Sequence, residues 1–86
     1  MSTAWKLSVD EEAFHFLLGA KARNRLVLLD GLERLVREPH QPCDFVERSP
    51  NQRDYSVKVI GQFAVTYWIE PKKIVRVVQI LRIRGG

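Results

Sequence analysis

Hydrophobic and polar residues alternate along four stretches of the chain, the pattern of β-strands that bury one face. The stretches are residues 5–9, 55–59, 62–69 and 74–84. Gly61 and the segment Glu70-Pro71-Lys72-Lys73 separate the last three and predict tight turns. The C-terminal half therefore predicts a three-stranded antiparallel sheet.

Between the first two of these stretches, apolar residues recur at steps of three and four, as on one face of an α-helix. Ser8 or Asp10 can cap a short helix whose first turn carries Glu11 and Glu12, and Gly19 suits its end. A second helix is predicted over about residues 21–37, with Pro39 beyond its end. Gly31 inside it costs roughly 1 kcal/mol relative to alanine. Together the two helices predict an αα-hairpin.

The remaining stretch, residues 39–54, is the least regular and is predicted to be a linker. The 86 residues suffice for one domain, residues 1–86, with a modest core. We predict a compact α+β fold in the order βααβββ, with the three-stranded antiparallel sheet and the N-terminal strand packed on the helical hairpin.

The odd-numbered positions of all four predicted strands are mainly apolar and are expected to face the helices. The even-numbered positions would form the open face, the side of the sheet away from the helices. That face is expected to carry Lys58, Arg76, Arg82 and Arg84 around Trp68, Val78 and Ile80. A cationic surface with an apolar patch predicts a binding partner.

Composition narrows the class of protein. The net charge is +4, and the positive charge is concentrated in the second helix and the C-terminal third, which suits RNA or an acidic protein as well as a merely solvated face. No apolar run is long enough to cross a membrane, and the N-terminus lacks the layout of a secretory signal, so a cytoplasmic protein is expected.

Metal and thiol chemistry find little support in the sequence. His40 and Cys43 offer two metal ligands where a structural zinc site needs four, so neither a metal nor another cofactor is expected. Cys43 has no second cysteine to pair with, and His15 is isolated on the first helix.

Local strings spread over nearly the whole chain resemble the RelE/ParE toxins of type II toxin–antitoxin systems. The strings are Trp5-Lys6-Leu7-Ser8, Leu32-Glu33-Arg34-Leu35, Arg53-Asp54-Tyr55-Ser56-Val57, Gly61-Gln62-Phe63-Ala64-Val65-Thr66-Tyr67 and Ile74-Val75-Arg76-Val77-Val78-Gln79-Ile80-Leu81. The resemblance implies a toxin neutralised by a cognate antitoxin. RelE-like members cut mRNA at the ribosome, and ParE-like members poison DNA gyrase.

The resemblance also implies roles for individual residues. Lys58, Arg82 and Arg84 match or stand near basic strand positions of the RelE pattern and are expected to be catalytic. Arg53, Arg76, Arg23 and Arg25 are expected to bind RNA. The antitoxin is expected to cover Trp68, Val78 and Ile80 or an adjacent helix groove.

The chain also departs from the RelE pattern. Many members carry an arginine where this chain has Ala64, and many continue past the last strand to a tyrosine or histidine, whereas this sequence stops at Gly86. No histidine or carboxylate falls on the predicted open face; Glu47 and Asp54 are the nearest in sequence. Three functions remain open: a ribosome-dependent endoribonuclease, fully active or attenuated, without an evident acid–base residue; a gyrase inhibitor; or a non-catalytic binding module.

Overall fold

Seven elements follow one another in the computed structural model, which describes residues 5–48 and 53–83. They are β1 (Lys6–Val9), α1 (Glu11–Gly19), α2 (Ala22–Arg37), β2 (Phe45–Arg48), β3 (Asp54–Ile60), β4 (Phe63–Glu70) and β5 (Ile74–Arg82). Arg84, predicted to be catalytic, lies outside the described residues.

The strands form one mixed sheet in the order β1-β5-β4-β3-β2. β1 pairs with β5 in parallel, and the other neighbours are antiparallel. The predicted α+β fold is confirmed, but the sheet has five strands because β2 forms inside the stretch that was predicted to be a linker.

Both helices pack on the same side of the sheet, which we call the helix face. Each helix contributes one apolar stripe to a single core, as the period of the sequence predicts. The core consists of Ala13, Leu17, Leu28, Leu32, Leu35, Phe63, Val65, Tyr67, Val75, Val77 and Ile80. The opposite side is the open face, on which no helix of the described residues packs.

A β-bulge in β5 reverses its alternation. Tyr67 pairs with Val77 and Thr66 with Gln79, so Val78 is an extra residue between them. Beyond the bulge the even positions turn to the helix face, and Ile80 is buried in the core at 2% exposure while Leu81 is 51% exposed. The prediction that Ile80 lies on the open face is therefore wrong.

The two-residue turn between β3 and β4 also changes which residues of β3 lie on the helix face. Ile60 pairs with Phe63 and Lys58 with Val65, so even positions of β3 share a face with odd positions of β4. Cross-strand partners point to the same side of a sheet. Lys58 therefore lies on the helix face, not on the open face, and Val57 takes its place there.

Candidate functional site

The open face carries an ion-pair network centred on Arg76 of β5. Arg76 donates from Nη1 to Asp10 Oδ1 at 2.9 Å and from Nε to Glu70 Oε2. The bond to Glu70 is the larger cause, and the bond to Asp10 the next, of a pKa of the Arg76 guanidinium above its usual value. Arg76, which was predicted to bind RNA, is thus paired with two carboxylates of its own chain.

Trp68 lies beside this network, directly across from Arg76 in the sheet. The guanidinium carbon of Arg53 lies 3.8 Å from the centre of the Trp68 ring, within the range of a cation–π contact. The structure thus brings together two residues predicted separately, Arg53 for RNA and Trp68 for the antitoxin. Trp68 is half-buried, and the chain's own Arg53 lies over its ring.

The open face also carries a depression of about 410 Å³. Its lining, which defines the open-face depression, is Glu12, Glu47, Arg48, Tyr55, Thr66, Val78 and Gln79. Strand β2 sets Glu47 directly opposite Tyr55, and Gln79 donates from Nε2 to Glu12 Oε2 at 3.2 Å. The depression therefore gathers two carboxylates, a phenol and a side-chain amide.

The sequence did not predict this site. Glu47 was recognised as one of the nearest carboxylates along the chain, but no strand was predicted there that could place it. Glu12 was expected only at the start of α1. Because Asp10 N donates to Val77 O at 2.8 Å, α1 begins against β5, and from there Glu12 reaches Gln79.

Of the three described cations that were predicted for the open face, Arg76 lies there and Lys58 and Arg82 do not. Lys58 and Arg82 pair with Val65 and Phe63, which belong to the core, and so lie on the helix face. Arg82 is exposed, with its guanidinium carbon 5.7 Å from the centre of the Phe63 ring. Ala64, where many RelE-like members carry an arginine, does lie on the open face, paired with Leu81.

On the helix face, a cleft of about 430 Å³ separates α2 from the β3–β4 hairpin. We call it the α2–hairpin cleft; its lining includes Val27, Asp30, Arg34, Gln41, Lys58 and Ile60. Lys58 donates from Nζ to the carbonyl oxygen of Pro42 at 3.3 Å. Lys58, predicted to be catalytic, thus lines a different cavity from the open-face depression.

The two arginines of α2 that were predicted to bind RNA differ in their surroundings. Arg25 donates to the carbonyl oxygens of Leu17, Leu18 and Ala20 at 2.9, 3.1 and 2.8 Å. These carbonyls end α1, so Arg25 caps that helix and balances its dipole. Arg23 is exposed on the surface.

Two further results concern metals and membranes. In the part of the chain that the structure describes, no group of three or more histidine, cysteine, aspartate or glutamate side chains could hold a metal ion. Within the same residues, no helix is long and apolar enough to cross a membrane.

Among solved structures, the isolated RelE toxin of E. coli superimposes with a TM-score of 0.77 at 16% identity, covering 96% of this chain and 88% of that one. A chain of the archaeal RelE–RelB complex from Pyrococcus horikoshii OT3 gives 0.73 at 16% identity, covering 96% and 98%. The chain has the RelE fold. No protein-family model matches the sequence, and no curated protein does so.

A third solved structure shares the fold with a looser fit. A chain of the chromosomal ParDE system of P. aeruginosa superimposes with a TM-score of 0.65 at 12% identity, covering 96% of this chain and all of that one. These identities show a shared fold, and a fold alone does not determine chemistry.

Proposed function

We propose that this chain is the toxin of a type II toxin–antitoxin system and that it acts on mRNA at the ribosome. The observation that carries the proposal is the superposition of this chain on solved structures of type II toxin–antitoxin systems, which covers nearly all of the chain. One of them is a RelE–RelB complex, and another is the isolated RelE toxin. The choice of mRNA over gyrase rests on the open-face depression, because the fits to RelE, at 0.77, and to the ParDE chain, at 0.65, concern the fold alone.

The open-face depression offers the groups that metal-free RNA cleavage requires. In that reaction the 2′-oxygen attacks phosphorus and loses its proton to a base, the P–O5′ bond breaks, and an acid protonates the leaving 5′-oxygen. We assign the base to Glu47 and the acid to Tyr55. Paired residues of antiparallel strands bring their Cβ atoms within about 5.5 Å of each other, close enough for both side chains to act on one phosphate.

One arginine lines the depression, and a second contacts Trp68 of the same face. Arg48 lines it, with Nε 3.3 Å from Asp54 Oδ1, and Arg53 lies over the neighbouring Trp68 ring. Planar guanidinium groups suit a phosphate that gains charge in the transition state. Lys58 and Arg82 lie on the other face of the sheet, so this proposal replaces them as catalytic residues and keeps Arg53 as an RNA contact.

The proposal is tested by controlled expression in a bacterial host, with mRNA 5′ ends mapped in the presence and absence of a translation inhibitor. We expect growth arrest with cuts that depend on translation. Glu47→Gln should reduce cutting roughly 100-fold or more. The control Glu11→Gln, at an 89% exposed side chain outside the depression, should cut like the native chain.

A gyrase target remains the second candidate. It is favoured by the balanced charge of Arg76 and by alanine at position 64, which leave the open face with few cations for a phosphate. Plasmid supercoiling in the same cultures separates the two: arrest with intact mRNA and relaxed or broken DNA would replace the mRNA target with gyrase. Growth without arrest would leave a non-catalytic binding module on the same fold.

A further inference from the structure

Strand β2 forms one edge of the sheet, and no other strand of the described residues pairs with its outer side. All four of its residues are exposed. Phe45 and Val46 place two apolar side chains there, exposed by 59% and 63%. An edge strand presents unpaired backbone N–H and C=O groups and can take up a further strand unless its side chains prevent it. The charges at this edge therefore decide what it can bind.

Opposite charges stand at the two ends of the edge. Asp44 directly precedes β2, and Arg48 is its last residue. Asp44 is held against β3, because its N donates to Val57 O at 2.9 Å and its Oδ2 accepts from Val59 N at 2.7 Å. A carboxylate can accept further hydrogen bonds, so Asp44 remains able to pair with a cation.

Arg48, at the other end, also retains binding capacity. Its Nε lies 3.3 Å from Asp54 Oδ1, and the two side chains are 77% and 59% exposed. An ion pair this exposed is weak, and the other N–H donors of the guanidinium suit a second carboxylate. The edge thus offers an anion at its start, an apolar centre and a cation at its end.

This arrangement is complementary to itself. A two-fold axis perpendicular to the sheet makes the β2 strands of two copies antiparallel and keeps both open faces on one side. With the axis at Val46, Asp44 of each copy faces Arg48 of the other, and no like charges are paired. With the axis at Glu47, two carboxylates would face each other. With the axis at Phe45, Asp44 would face Val46, and no ion pair would form.

The remaining charges near the edge do not oppose this pairing. Glu47 of each copy faces Phe45 of the other, and the two Glu47 carboxylates are offset by about 7 Å along the strands. Lys58 lies one strand further in and donates to Pro42 O at 3.3 Å. The two opposite-charge pairs are therefore closer than any like-charge pair across the axis.

The opposite edge of the sheet, β1, does not offer the same arrangement. The corresponding pairing there would join Lys6 of one copy to Asp10 of the other, about an axis at Ser8. Asp10 already binds Arg76 at 2.9 Å. Its N donates to Val77 O at the point where α1 begins, so the chain leaves the edge there. The observations therefore favour β2 over β1 as the edge that a second copy covers.

We propose that two copies of this chain pair through β2, antiparallel and centred on Val46, to form one continuous sheet. Cross-strand partners point to the same side of a sheet, so Phe45 of the second copy lies across from Glu47 on the open face. Each copy thereby adds an aromatic wall to the open-face depression of the other. The inference goes beyond the proposed function and does not depend on it.

Sedimentation of the purified full chain tests the pairing. A four-residue strand gives a small interface, so the concentration is raised to about 200 μM, and a dimer should form in a concentration-dependent way. Val46→Lys places two ammonium groups at the axis and should weaken dimerisation at least tenfold. Leu26→Lys, at a side chain on α2 that is 68% exposed, is the matched control and should dimerise within twofold of the native chain.

Exchange of the end charges tests the register. In Asp44→Arg two arginines face each other at both ends of the paired strands, and in Arg48→Asp two aspartates do, so each variant alone should dimerise at least tenfold more weakly. An equimolar mixture of the two variants restores opposite charges at both ends. The mixture should associate within about threefold of the native chain, and circular dichroism confirms that each variant is folded.

Each failure has its own meaning. A native chain that stays monomeric at every concentration overturns the proposal. If Val46→Lys then also abolishes binding of the expected antitoxin, the edge takes a strand of that partner instead of a second copy. A dimer that Val46→Lys weakens no more than Leu26→Lys lies on another surface. A mixture that stays monomeric while the native chain dimerises overturns the register. The proposed function is tested separately, by mRNA cutting.

Discussion

Gly31 lies in the middle of α2, where replacing glycine with alanine ordinarily stabilises a helix by about 1 kcal/mol. The structure predicts the opposite result here. A Cβ on Gly31 would lie 2.5, 2.7 and 3.0 Å from Cγ2, Cδ1 and Cγ1 of Ile60. Two of these atoms are bonded directly to the Cβ of Ile60, so the side chain cannot simply swing away. Overpacking of this kind typically costs about 1–3 kcal/mol.

The helix gain and the packing cost together predict that Gly31→Ala lowers the free energy of unfolding by about 0–2 kcal/mol. In a domain of this size, 1 kcal/mol corresponds to a shift in Tm of about 4–8 °C. Urea unfolding followed by far-ultraviolet circular dichroism measures the change. Gly19→Ala, at the end of α1 with nothing within 4 Å of the new Cβ, is the control and should be neutral or stabilising.

A double-mutant cycle isolates the contact with Ile60. Ile60→Ala removes all three crowding atoms, so Gly31→Ala should recover its helix gain of about 1 kcal/mol in that background. The reasoning is refuted if Gly31→Ala stabilises the native chain by the same amount, since α2 would then not be held against β3 at this point.

Two other predictions concern stability. Arg25→Ala should lower the free energy of unfolding by about 1–2 kcal/mol, because the end of α1 loses a charged hydrogen-bond donor. The control, exposed Arg23→Ala, should change it by less than about 0.5 kcal/mol. Equal effects of the two variants in urea titrations would contradict the capping role of Arg25. Burial raises the pKa of the Tyr67 hydroxyl in the folded chain, so the unfolded chain ionises first, near the ordinary value of 10.0, and native stability should fall as pH rises above it. Tyr67→Phe should lose less stability over that range, and parallel curves of urea midpoint against pH would exclude the effect.

Local periodicity was enough to predict the two helices and four of the five strands. Steps of three and four residues and steps of two are properties of neighbouring positions, and they need no knowledge of the tertiary fold. β2 was not predicted because its four residues are all exposed and form a strand only by pairing with β3. Without β2, Glu47 could not be placed opposite Tyr55.

The face on which each strand residue lies depends on non-local features. The parity argument assumed uninterrupted alternation and the same face for odd positions in every strand. The turn at Gly61 and Gln62 reverses the relation between β3 and β4, and the bulge at Val78 reverses it again within β5. Lys58, Arg82 and Ile80 were assigned to the wrong face for this reason, so the open face lacks two of the cations predicted for it.

The central claim, that this RelE-fold chain is a toxin held in check by a partner, is tested most directly by growth under separate inducible control of the two genes. Induction of this chain alone should stop growth, and co-induction of a short adjoining gene, the expected antitoxin gene, should restore it. Normal growth with the chain alone, at levels where the folded protein is recovered from the cells, would contradict the claim.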